Sequence, residues 1–152
     1  MGRHVGPSAP ASLKIAEHLG QRWIYDPLRR KYVALTPEEW VRQHWIHFLL
    51  HELKLPRSRM AIERVISVNG LRRRFDLVIF DRGGRPILVM EFKAQNKSLS
   101  MKTLEQVCQY NMALRVRFLV ITSGKKTFVF EWNDEKENYV ARKMFPEVSE
   151  LT

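Results

Sequence analysis

Cysteine is almost absent from this chain: of 152 residues, only Cys108 carries a thiol. One thiol closes no internal disulfide and cannot furnish a zinc ribbon, so both of those frameworks are excluded. Long apolar runs are missing as well. No stretch approaches the roughly 18 apolar residues of a membrane span, and the first twenty residues lack the apolar core of a secretory signal. Gly2 is followed by Gly6 where a myristoylation motif would want a hydroxyl. These absences lead to the expectation of a soluble protein of a reducing, cytoplasmic compartment with no membrane partner. An organelle transit peptide stays open, because Arg3, His4 and Lys14 precede the first acid, Glu17. There are no internal repeats and no low-complexity tracts. Acids are the other scarcity: 16 Asp and Glu stand against 26 Lys and Arg, a formal charge of +10. That balance favours a polyanion as partner. The hydrophobic fraction, 45%, is that of a folded chain, and the length suits one domain with a sizeable core.

Gly2, Gly6, Pro7 and Pro10 make the first ten residues a loose tail, and Leu13 to Tyr25 is ambiguous. Tyr25-Asp26-Pro27-Leu28-Arg29-Arg30-Lys31-Tyr32 reads as a turn with a basic cluster. Thr36-Pro37-Glu38-Glu39 starts a helix: Thr36 caps, Pro37 suits the first position, and Glu39 stands at the capping-box site. Val41, Trp45, Phe48 and Leu49 form its apolar stripe, widened by Trp40, Ile46, Leu50 and Leu53, and Pro56 marks its end. Strand patterns follow over residues 60–68, 71–80 and 86–93, joined by Asn69-Gly70 and by a turn through Gly83-Gly84. Residues 101–114 read as a helix with Leu104, Val107 and Cys108 on one face. Strands over 116–122 and 127–132 come next, then a last strand or tail. The order is αβββαββ, an α/β chain with a central mixed sheet, a meander plus later strands, flanked by helices.

A hairpin symmetric about Gly83-Gly84 opposes Phe80 to Ile87, Val78 to Val89 and Asp76 to Glu91. Alternation then puts Asp76, Val78, Val89, Glu91 and Lys93 on one face, with Phe75, Leu77, Ile79, Leu88, Met90 and Phe92 on the other. Two carboxylates opposed across a ladder, about 4.5–5.5 Å apart at Cβ, repel and call for a counter-ion. Mg²⁺ fits, since it takes oxygen ligands and keeps several waters. Lys93 points the same way as Glu91 and reaches the same place. The same symmetry about Asn69-Gly70 opposes Glu63 to Asp76, a third acid. A one-residue bulge would flip either strand and undo this arrangement.

Asp76 followed by Glu91-Phe92-Lys93 resembles the PD-(D/E)XK nuclease core, with Phe75 where the family name has proline. Gln106-Val107-Cys108-Gln109-Tyr110 resembles the Gln-x-x-x-Tyr element of RecB-type nucleases and type I restriction enzymes. The run from Tyr25 through Thr36-Pro37-Glu38-Glu39-Trp40 to His44 resembles small standalone bacterial proteins similar to the N-terminal nuclease domain of the type I restriction R subunit. The resemblance spans about Tyr25 to Trp132. It divides the chain into an extension (1–24), a nuclease-like domain (25–145) and a tail (146–152), and implies a restriction-endonuclease-like core. The motor and ATP-binding motifs of a full R subunit are absent, so cleavage coupled to translocation is not expected of this chain alone.

The resemblance implies a Mg²⁺- or Mn²⁺-dependent DNA endonuclease. Asp76 and Glu91, with the Phe92 carbonyl, would hold metal, and Lys93 would orient water or stabilise the transition state. Gln106 and Tyr110 would steady Lys93 or touch the DNA backbone. Glu39 would be either a metal acid on the first core helix or simply the capping-box residue. Arg72, Arg73, Arg74, Lys97 and Lys102 would grip phosphates without reading sequence. DNA is the implied partner, with a homodimer or restriction-complex subunits beside it, since cutting a duplex takes two sites. His44, His47 and His51 fall at helical spacing, but no second cluster completes a zinc site. Two other readings stand: a catalytically silent nucleic-acid-binding or assembly module of the same fold, and a basic interaction protein in which the pattern is accidental.

Overall fold

The computed structural model describes residues 6–7 and 12–152. The loose tail expected over the first ten residues therefore falls, apart from Gly6 and Pro7, outside the described residues. Strands β1 (Ile15–His18), β2 (Gln21–Asp26) and β3 (Lys31–Ala34) pair antiparallel into a small sheet. Helix α1 (Pro37–His47) follows, running on as a π-helical turn (Phe48–Glu52). A 3₁₀ turn (Arg57–Arg59) leads into β4 (Met60–Val68), β5 (Leu71–Phe80) and β6 (Pro86–Phe92). Helix α2 (Met101–Asn111) then crosses to β7 (Phe118–Thr122), β8 (Thr127–Asn133) and β9 (Asn138–Arg142). These six strands form one sheet in sequence order. Only β6 and β7 run parallel, because only they are joined by a helix. The mixed central sheet is thus present, preceded by three strands that the order αβββαββ does not contain.

Helix α1 begins as its sequence dictates. The Glu39 N–H donates to the Thr36 hydroxyl at 3.0 Å, and Pro37 sits in the first turn. The capping box is only half built, because the Glu39 carboxylate turns to other partners described below. One face of the sheet, carrying Leu77, Ile79, Leu88, Met90, Phe92, Phe118 and Val120, packs on Val41, Trp45, Ile46 and Leu49 of α1 and its extension. The opposite face, carrying Val78, Val89 and Leu119, packs on Cys108 of α2 and on Leu114.

The strand registers match the symmetric reading except at two places. The pairs Leu77–Met90, Val78–Val89 and Ile79–Leu88 form, but a bulge between Ile79 and Phe80 pairs Phe80 with Pro86 instead of Ile87. The second departure lies beside the acids. Pairing of β4 with β5 runs from Val68–Leu71 to Arg64–Phe75 and resumes at Ile62–Leu77 in the same register. At the break Glu63 has φ +51°, in the left-handed region. Ile66 and Phe75 lie in the α2-side core, whereas Ile62 and Leu77 lie on the α1 side. Both strands change faces together at Glu63 and Asp76, which keeps the register. Phe75 is therefore not on the face of Leu77, contrary to strict alternation.

The C-terminal residues are tied down by charge. Arg142 on β9 makes a two-pronged contact with Glu150 (2.9 and 3.1 Å), which also accepts the Glu147 N–H, and Leu151 is buried behind it. The Arg142 hydrogen bonds hold the Glu150 carboxyl below its ordinary value, against the opposite pull of burial. For a depressed carboxyl the stabilisation is complete above the unfolded value, here 4.5, and is lost as pH falls through the lower folded value. Glu150→Gln is expected to lower stability by about 1 kcal/mol at neutral pH. In thermal melts the gap from the parent should close on acidification; a gap that persists in acid would assign the effect to packing.

Candidate active site

Asp76 sits where β5 and β6 cease to pair, just beyond the Leu77–Met90 pair. Its carboxylate fills the gap by accepting the Phe92 N–H at 2.7 Å, a bond that a ladder carbonyl would otherwise take. On the far side of β6, the Lys93 N–H donates to the Thr122 carbonyl of β7 at 2.8 Å, so residues 91–93 are held from both sides. Glu91 is half-buried beside them. Burial pushes its carboxyl up; the Lys93 ammonium pulls the other way and the Asp76 charge adds to the rise. Among the described residues, neither the Glu91 carboxylate nor the Lys93 ammonium has a hydrogen bond or ion pair. The structure therefore brings Asp76, Glu91 and Lys93 within electrostatic reach of one another.

A buried network from α1 approaches the same place. The Asp26 carboxylate, fully buried, accepts the N–H groups of Leu28 and Arg29, the Arg29 Nε at 2.6 Å and the Gln43 amide at 2.9 Å. Arg29 also donates to Glu39 at 2.6 Å, and Glu39 takes further bonds from Gln43 (2.9 Å) and Arg42 (3.1 Å). Burial works against the Arg29 charge, but its bonds to Asp26 and Glu39 outweigh that and hold its pKa raised. Arg42, itself buried, then reaches Glu38 (3.4 Å), Asp76 (3.7 Å) and Glu63 (3.9 Å). Glu39, one of the expected metal acids, is thus committed to arginines, while Glu38 is the helix acid that feels the Asp76 charge. Burial and the Asp76 charge raise the Glu38 carboxyl, while Arg42 and Lys93 oppose the rise. Arg42 and Glu38 were not among the expected site residues. Their i, i+4 spacing is visible in the sequence, but their convergence on Asp76 depends on how α1 packs over β5.

The remaining expected residues are more dispersed. Gln106 and Tyr110 share an exposed face of α2, and neither hydrogen-bonds to Lys93. Tyr110 instead carries the Arg73 guanidinium 3.7 Å above its ring centroid. The arginine run is divided by strand alternation: Arg73 lies on Tyr110, whereas Arg74 is exposed and pairs with Glu63 at 3.2 Å. Arg72, Lys97 and Lys102 are exposed and form no ion pair among the described residues. Glu63 stands opposite Asp76 in register, but its carboxylate is occupied by Arg74.

Among the described residues there is no group of three or more His, Cys, Asp or Glu side chains that could hold a metal ion. The donor set at Asp76 and Glu91 is smaller, two carboxylates, one of them half-buried and, among the described residues, without a hydrogen bond or ion pair. Such a pair suits an ion that takes one or two protein carboxylates and completes its shell with water. It does not suit zinc, which wants nitrogen or sulfur. An amine beside an acid pair is equipped to neutralise charge building on a phosphoryl oxygen. No helix among the described residues is long and apolar enough to cross a membrane.

No curated protein matches the chain. The model of one family, described as the type I restriction enzyme R protein N terminus (HSDR_N), matches residues 37–146, from the start of α1 to just past β9. That span contains Asp76, Glu91 and Lys93 and leaves the small N-terminal sheet outside. The match covers well over half of the sequence, and the chain belongs to the family of type I restriction enzyme R protein N-terminal domains, a nuclease-like domain of the PD-(D/E)XK kind.

Proposed function

We propose that this domain is a divalent-metal-dependent deoxyribonuclease hydrolysing DNA phosphodiesters on a restriction-endonuclease-like core. The observation that carries the reading is the Glu91 carboxylate, half-buried, without a hydrogen bond, and set beside Asp76 and Lys93 where two strands part. Asp76 and Glu91 would hold Mg²⁺ or Mn²⁺. The ion would supply Lewis acidity toward the phosphate and a more acidic bound water. Lys93 would neutralise charge on the phosphoryl oxygens. Arg42 would keep Asp76 oriented, and Glu38 would stand on the open side of the acid pair. Arg72, Arg74, Lys97 and Lys102 would hold the DNA backbone, with Tyr110 and Arg73 as a stacked platform beside them. DNA and the other subunits of a restriction complex are the partners.

A second reading, a catalytically silent nucleic-acid-binding or assembly module, draws support from Arg42, a protein cation already near Asp76. Plasmid nicking separates the two. With Mg²⁺ or Mn²⁺ the protein is expected to convert supercoiled DNA to nicked circles, and a chelator to stop it. Protein that binds plasmid yet never nicks it with either ion would make the second reading the right one. Binding itself should weaken steeply with salt, since it rests on phosphate contacts.

A further inference from the structure

Away from Asp76, a cavity of about 260 Å³ opens between the small N-terminal sheet and α1. Lys14, Tyr25, Gln43, His47, His51 and Arg57 line it. They come from four places: the segment before β1, strand β2, helix α1 with its π-helical extension, and the 3₁₀ turn after it. Among the described residues no carboxylate lines the cavity. The buried acids behind Gln43, Asp26 and Glu39, are both bonded to Arg29. Neither Lys14 nor Arg57 has an ion-pair partner among the described residues; the Lys14 ammonium lies 5.4 Å from the Tyr25 ring centroid. The rings of His47 and His51 lie tilted against each other, at 43°, with centroids 4.5 Å apart.

We propose that this cavity is a binding site for a phosphoryl anion, held by Lys14 and Arg57 against the His47–His51 pair. Four basic side chains from three places in the chain line the cavity with no acid among them, an arrangement that an anion relieves and a cation worsens. Two imidazoles one helical turn apart can chelate a divalent metal, but Lys14 and Arg57 in the same cavity repel one. The volume is below the roughly 300–1,000 Å³ of drug-sized sites, which limits the occupant to a small group such as a phosphate. The pair is also sensitive to what occupies the cavity. His47 is held below its ordinary value by burial first and by the charge of His51, with Glu52 opposing and His44 adding slightly. Lys14, Tyr25 and Arg57 face the two rings from the other elements. A bound dianion would favour the charged imidazoles and draw protons onto them.

The test is NMR titration of the histidine ring protons in the full chain, with inorganic phosphate added at constant ionic strength made up with chloride. The His47 titration is expected to move to higher pH on phosphate addition and the His51 ring protons to change chemical shift, while the ring protons of His18 do not. In Lys14→Gln/Arg57→Gln, both exposed positions, phosphate affinity should fall about tenfold or more. Identical histidine titrations in phosphate and chloride would overturn the site, as would undiminished affinity in the variant. Competition by duplexes with a 5′-phosphate or a 5′-hydroxyl identifies the source. Displacement by the phosphorylated duplex alone assigns a DNA end, equal displacement assigns backbone phosphates, and displacement by neither leaves free phosphate; the site stands in all three. No readout here requires cleavage, so the site and the nuclease reading can fail separately.

Discussion

Lys93→Ala and Asp76→Ala are each expected to slow metal-dependent DNA nicking by at least about 10²–10³-fold, the usual loss when one preorganised charge is removed from a reacting centre. The two variants differ in what else they do. Among the described residues Lys93 forms no hydrogen bond or ion pair through its ammonium, and its N–H bond to Thr122 survives truncation of the side chain. Lys93→Ala should therefore melt like the parent and bind DNA nearly as well. Asp76 takes the Phe92 N–H and lies 3.7 Å from Arg42. Its removal leaves a strand amide without its acceptor and takes one of four acids from Arg42, so a loss of about 1–3 kcal/mol in stability should accompany the loss of activity. Mg²⁺ should raise the melting temperature of the parent and of Lys93→Ala, but not of Asp76→Ala. Nicking at parental rates by both variants would remove these residues from the mechanism. A normal rate for Lys93→Ala alone would leave the acids as a metal site and take the amine out of the chemistry.

Much of the central sheet is legible in the sequence because its turns use residues suited to them. Asn69 and Gly70, at φ +51° and +75°, form the tight turn that Asn-Gly favours, and the strands on either side have the limits their patterns suggest. Leu19-Gly20 makes a turn of the same sense, at φ +49° and +75°, between β1 and β2. Leucine there carries no turn signal, and β1 is mostly exposed with no clear alternation, so the small sheet stays hidden in the sequence. The acids show a different limit. Alternation predicts only the parity of faces, and the paired departure at Glu63 and Asp76 reverses parity on two strands at once without moving the register. The opposition of Asp76 and Glu91 depends on register alone, but the pairing of β5 with β6 ends one step short of it, at Leu77–Met90. The assignment of Phe75 fails because it depends on parity. Glu39 was ambiguous for a third reason: a cap acid and a site acid occupy the same helical position, and only the packing of Arg29 and Arg42 against it decides where its carboxylate goes.

That packing makes Arg29 the residue whose loss should cost the most stability. Arg29→Met is expected to destabilise the domain by about 3–5 kcal/mol, the range found when one partner of a buried ion pair is removed. The size follows from what is left behind. Asp26 is fully enclosed and Glu39 nearly so, and Arg29 touches both at 2.6 Å. Without it the two buried carboxylates share Gln43, and only Glu39 keeps a cation, Arg42. Methionine replaces much of the side-chain volume, so the loss would be electrostatic and not a cavity effect. A double-mutant cycle makes this measurable. Glu39→Gln removes one of the orphaned charges, and the Arg29→Met/Glu39→Gln protein should be more stable than the sum of the single losses allows, by about 1–3 kcal/mol. Strict additivity in urea melts would mean that Arg29 does not act through Glu39. The cycle also reaches the site: with Arg29 gone, Glu39 would draw Arg42 more fully to itself, and Asp76 would lose the guanidinium that stands between it and α1. Arg29→Met should therefore cleave more slowly than the parent even where it is fully folded, although no atom of Arg29 contacts the acid pair.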